Sequence, residues 1–108
     1  MRALAVAAIA LGIAAPALAA GSPVAGKIVF RSKCGSCHTL KAAGTVAKSA
    51  SAGPVLTNKR LAAARVMKAL SGGGSGLMPT FAGVLTTKQV NDVVAFVVVA
   101  SKPGASVK

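Results

Sequence analysis

The chain has 108 residues, with 13 Lys or Arg against a single acid and a formal net charge of +12. That length allows one small domain and excludes a large core, and with 3 Phe and no Trp or Tyr the usual aromatic fillers are scarce. The charge predicts attraction to acidic docking faces, anionic lipid or nucleic acid, and it says little about fold.

The first residues read as an export signal. Arg2 gives the positive start, Ala3 to Ala15 a short apolar run, Pro16 a break, and Ala17-Leu18-Ala19 the small residues that a peptidase needs. Cleavage after Ala19 divides the chain into a signal peptide, 1–19, and one domain, 20–108, whose charge is +11 once Arg2 is gone. An uncleaved anchor is the competing reading. Export places the domain in the periplasm or on the outer face of the cytoplasmic membrane, with membrane contact at most peripheral.

Ser22-Pro23 is a helix start, a capping hydroxyl followed by proline in the first turn, and Val24 to about Lys33 is expected to be helical. Lys41 to Ala52, rich in Ala, Ser, Gly and Lys, reads as a surface loop. Asn58 is expected to cap a helix over Lys59 to Ser71, with Ala63, Val66, Met67 and Leu70 on one face and Gly72-Gly73-Gly74 ending it. Thr86 and Gln89 have capping-box spacing, so a last helix is expected over Thr87 to Ala100. Val93 to Val99 alone would pass equally well for a buried strand.

Both cysteines of the chain fall in Cys34-Gly35-Ser36-Cys37-His38. A Cys-x-x-Cys-His run is the attachment sequence of c-type haem. Thiols three residues apart on a helical turn share a face and can add to two vinyl groups, while the next side chain swings an imidazole beneath the iron. One covalent haem c would also supply the missing core. Three other readings compete. A thioredoxin-like pair wants a βαβ setting that is absent here. Structural zinc wants four ligands, and no other Cys or His exists. A short-loop disulfide suits an oxidising compartment and stays open.

The second iron ligand is read from position. Met67 lies on an apolar helical face and is taken as core. Met78 sits in Gly72-Gly73-Gly74-Ser75-Gly76-Leu77-Met78-Pro79, where glycines let the backbone pass close to a ring and Pro79 stiffens the chain beyond the sulfur. A flexible linker with an incidental methionine is the alternative. His/Met ligation favours reduced iron.

With these motifs in place the chain resembles the class I cytochromes c, the small bacterial monohaem type. Gly26-Lys27-Ile28-Val29-Phe30 is similar to the first helix, whose glycine and aromatic pack on the last helix, where Phe96 offers its ring. Gly53-Pro54-Val55-Leu56 is similar to the Gly-Pro-x-Leu segment, and Met78-Pro79-Thr80-Phe81 to the distal Met-Pro-x-Phe loop. The resemblance implies an all-α fold of three to four helices around one haem. It implies Cys34 and Cys37 as thioether donors, His38 as proximal ligand, Met78 as distal ligand, and Pro54 as the carbonyl that accepts from His38. The Trp or Tyr with which many relatives hold the propionates is missing here; Lys48, Lys59 or Arg60 could serve.

The expected function is therefore electron transfer without catalysis, by a monomer that meets acidic-faced partners such as a membrane reductase, a terminal oxidase or a dehydrogenase. A haem-bearing subunit of a larger dehydrogenase or oxidase complex is the alternative. A basic disulfide-bonded binding protein is remote: the cations are scattered, bases would find no Trp or Tyr to stack on, and no nucleic-acid partner is expected.

Overall fold

The computed structural model describes residues 21–48, 52–73 and 78–108. The expected signal peptide, residues 49–51 of the expected loop and residues 74–77 of the glycine-rich run lie outside the described residues. Among the described residues there are three α-helices and no strand: α1 (Pro23–Lys33), α2 (Ala63–Gly72) and α3 (Thr87–Ala100). One 3-10 turn, Lys41–Ala43, lies between α1 and α2.

α1 starts as its sequence dictates. The Ser22 hydroxyl accepts from the Ala25 N–H at 3.1 Å, with Pro23 in the first turn, so an orphan amide of the helix start is satisfied. Arg31 and Lys33 in the last turn oppose the negative end of the helix dipole. α3 starts with the complete capping box: the Thr86 hydroxyl accepts from the Gln89 N–H, and the Gln89 side chain accepts from the Thr86 N–H. The valine-rich run is helical throughout. Val93, Val94, Phe96, Val97 and Ala100 are all buried, so one broad face of α3 meets both other helices.

α1 and α3 pack face to face. A Cβ placed on Gly26 would stand 1.9 Å from the Asp92 carbonyl oxygen and 2.7 Å from the Phe96 Cβ, so only glycine lets the two backbones approach this closely. One turn along, the Phe30 and Phe96 rings lie 5.6 Å apart, tilted at 55°, a favourable aromatic geometry. Asp92 fastens the crossing. It is 4% exposed, its Oδ1 accepts from the Ser22 N–H at 2.9 Å, and its Oδ2 pairs with Lys88 Nζ at 2.7 Å. Leu40, Ala43 and Leu70 complete the core beside α3.

Two expectations are corrected. Asn58 caps no helix: α2 begins at Ala63, four residues later than expected, after Ala62, whose side chain makes no capping bond. The reason is tertiary. The Arg60 N–H donates to the Ser101 carbonyl and the Leu61 N–H to the buried Ser101 hydroxyl, each at 2.9 Å. Asn58 and Arg60 take left-handed φ values of +64° and +50°, and the lead-in segment is held against the end of α3. The expected loop from Lys41, for its part, contains the 3-10 turn, with Leu40 and Ala43 fully buried.

Candidate haem site

Cys34 closes α1. Its N–H donates to the Phe30 carbonyl at 2.8 Å, and the His38 N–H donates to the Cys34 carbonyl at 3.0 Å, so Cys34 to His38 forms one further helical turn. Both cysteines are free and half-buried. Burial, and then the neighbouring Cys37, push the Cys34 thiol up to about 11.

His38 is oriented by the segment C-terminal to it. Its Nδ1 lies 2.8 Å from the Pro54 carbonyl oxygen. A carbonyl can only accept, so Nδ1 carries a proton, which in the neutral imidazole leaves the lone pair on Nε2. Gly53 presses on the same ring: a Cβ there would stand 2.6 Å from Cε1. Four consecutive carbonyls of the turn, Ser36 to Thr39, are taken up by the segment beyond. They accept from Lys48 N–H (3.0 Å), Gly53 N–H (2.7 Å), Thr45 Oγ1 (2.9 Å) and Leu56 N–H (2.9 Å) in that order.

Met78 arrives from the other side of the chain, on the return from α2 to α3. Packing places it half-buried against the cluster that Cys34 also touches. Its loop is tied to the end of α2, where the Thr80 hydroxyl donates to the Ser71 carbonyl at 2.9 Å and the Phe81 N–H to the Leu70 carbonyl at 2.8 Å. Met67 is half-buried on α2 against the same core, as expected of a packing residue. Between α2, the 81–85 turn and α3 runs a hollow of about 290 Å³, lined by Met67, Leu70, Phe81, Leu85 and Val90 among others; neither cysteine nor His38 reaches it. The structure thus joins Cys34, Cys37, His38 and Pro54 through one hydrogen-bonded turn, whereas Met78 packs against the core cluster without a hydrogen bond to that turn. Lys48, Lys59 and Arg60 are all exposed, and nothing in their placement singles one out.

These residues fit a covalently held haem. The donors are two thiols on one turn and an imidazole with a free Nε2, and Val29, Leu56, Leu61, Val66, Met67, Met78 and Phe81 are apolar side chains that the core leaves only partly covered. They do not fit zinc: among the described residues no three His, Cys, Asp or Glu side chains converge as a metal ion requires. Sequence reasoning missed Thr45 and Thr80, two hydroxyls that fasten the turn and the Met78 loop. Their signal is faint, a β-branched hydroxyl in a stretch of otherwise small or glycine-rich residues.

Among the described residues no helix is long and apolar enough to cross a membrane. Residues 21–97 match the protein family described as cytochrome c oxidase, cbb3-type, subunit III. Among solved structures, the c-type cytochrome SorU from Sinorhizobium meliloti is similar, with a TM-score of 0.64 and 28% identity over 75% of this chain and 92% of SorU. No curated protein matches. A helical fold closed by the α1–α3 crossing, a Cys-x-x-Cys-His turn and a family match over most of the chain lead to one conclusion: the protein belongs to the class I monohaem cytochromes c, electron-transfer proteins whose cofactor is a covalently bound haem c.

Proposed function

We propose that this chain is an exported monohaem electron carrier, cleaved after Ala19, with Cys34 and Cys37 as thioether donors, His38 as proximal ligand and Met78 as distal ligand. The observation that carries the reading is the His38–Pro54 hydrogen bond of 2.8 Å. It fixes the tautomer and leaves Nε2 available, as outer partners of metal-bound histidines do. The haem, when bound, supplies a one-electron couple, and a thioether on the far side favours its reduced form. The chain's own residues then have three tasks. The cysteines keep the group attached at any dilution, Pro54 and Gly53 orient the imidazole, and the half-covered apolar side chains exclude water. The lysines and arginines steer the carrier to acidic-faced redox partners in the periplasm or at the outer face of the cytoplasmic membrane.

The family name favours a second reading, a haem-bearing subunit of an oxidase or dehydrogenase complex. Copurification with one enzyme would select it; the free protein in the exported soluble fraction would select the shuttle.

The test is a visible spectrum of protein made in a host with intact haem-attachment machinery. The wild type should show covalent haem on a denaturing gel and, when oxidised, a weak sulfur-to-iron band at the red end of the visible range. Met78→Ala should lose that band and keep the haem. A colourless wild type overturns the whole reading, and a band that survives in M78A overturns the distal ligand alone.

A further inference from the structure

His38 is held at two points, and sequence patterns point to only one of them. The first is the ring, through Pro54. The second is the backbone carbonyl, which accepts from the Thr45 hydroxyl at 2.9 Å. The same oxygen of Thr45 accepts from the Leu40 N–H at 3.2 Å, so its proton is committed to His38. Leu40 has a second acceptor, the Thr45 carbonyl at 3.1 Å. The His38 carbonyl has no other donor among the described residues.

The setting makes Thr45 different from its neighbours. Of the four donors that take up the carbonyls of Ser36 to Thr39, three are backbone amides, which any residue but proline supplies, and only the His38 carbonyl is served by a side chain. The Thr45 methyl has a separate contact: a Cβ on Gly35, between the two cysteines, would stand 2.8 Å from its Cγ2. One residue thus touches the attachment turn twice, by its hydroxyl at His38 and by its methyl at Gly35.

We propose that Thr45 is a positioning residue for His38. Its hydroxyl fixes the peptide plane after the histidine, and this plane sets the angle at which the ring meets the Pro54 carbonyl. The proposal rests on the reading of His38 as an iron ligand. Its consequence is electronic as well as structural. A well-aligned Nδ1–H···O=C bond makes the imidazole a stronger donor to iron, and losing the alignment weakens that donation.

The test compares haem-loaded wild type, T45V and T45S. Valine keeps the shape and both branches but deletes the hydroxyl; serine keeps the hydroxyl and deletes the methyl. In the reduced protein the His38 Nδ1 proton should exchange with solvent about tenfold faster in T45V, the factor to which the net contribution of one hydrogen bond corresponds. Its reduction potential should rise, because oxidised iron depends more on a strong imidazole donor. T45S should keep the wild-type exchange rate and potential. A purely structural role would lower stability in both variants and leave the ring proton and potential unmoved.

T45V with wild-type exchange and potential, or T45S behaving like T45V, overturns the proposal. If T45V yields no haem-loaded protein, the wild type decides. A slowly exchanging Thr45 hydroxyl proton, coupled by NMR to the His38 carbonyl carbon, supports the proposal, and a freely averaging hydroxyl overturns it. A wild type without covalent haem overturns this proposal and the reading beneath it. A haem-loaded wild type with an indifferent T45V overturns this proposal alone.

Discussion

A histidine proposed as an iron ligand needs a defined tautomer and a defined direction, and around His38 each comes from a different neighbour. Pro54 supplies the acceptor, and Gly53 supplies the space by having no side chain. Gly53→Ala should therefore push the ring off the Pro54 carbonyl and destabilise the haem-loaded protein by about 1–3 kcal/mol, the usual cost of overpacking, as measured by denaturant unfolding. Asp92 makes a second prediction at this scale. The Lys88 hydrogen bond, then the Ser22 N–H, hold its carboxyl below the ordinary value of 3.8. Its contribution to stability is complete above the usual carboxylate range and disappears as the pH falls through the lowered native value. Asp92→Asn should be less stable than wild type at neutral pH, and the gap should close on acidification. A gap that stays constant with pH would assign the loss to packing.

At the scale of elements, the crossing of α1 and α3 is the joint on which the fold depends. Gly26→Ala would force a methyl against the Asp92 carbonyl, which belongs to backbone and cannot rotate away. We expect a loss of about 3 kcal/mol, the top of the overpacking range, seen as a lowered urea midpoint with an unchanged slope. These two helices were readable from sequence because their signals are local: Ser22-Pro23 opens one and the Thr86–Gln89 capping box the other. Periodicity alone did not decide Val93 to Val99, since β-branched residues suit strands; a helix buried on a broad face accepts them because their single preferred rotamer loses little on packing. The start of α2 was illegible for the opposite reason. Asn58 has the chemistry of a cap, yet two hydrogen bonds to Ser101, about forty residues away in sequence, hold the segment in another conformation. Cys34 to His38 and the chain at Met78 were singled out through residue identity. Their fastening was not, because most of it is done by backbone amides and by two unremarked threonines.

For the whole molecule, charge dominates. The sole acidic side chain of the chain is buried and engaged by Lys88, so every exposed side-chain charge is positive. Encounter with an acidic partner should be fast at low salt and slow steeply as salt screens the approach. Stopped-flow electron transfer to an acidic redox partner checks this; rates indifferent to ionic strength would remove the steering and leave the haem assignment standing.

The burial of Asp92 also bears on regulation. With its one side-chain carboxylate buried, the surface carries no acidic side chain to be neutralised as the pH falls. Acidification would therefore remove no negative side-chain charge from its surface. Weakened attraction at low pH would then originate with the molecules it visits, as their exposed carboxylates are neutralised in the ordinary carboxylate range.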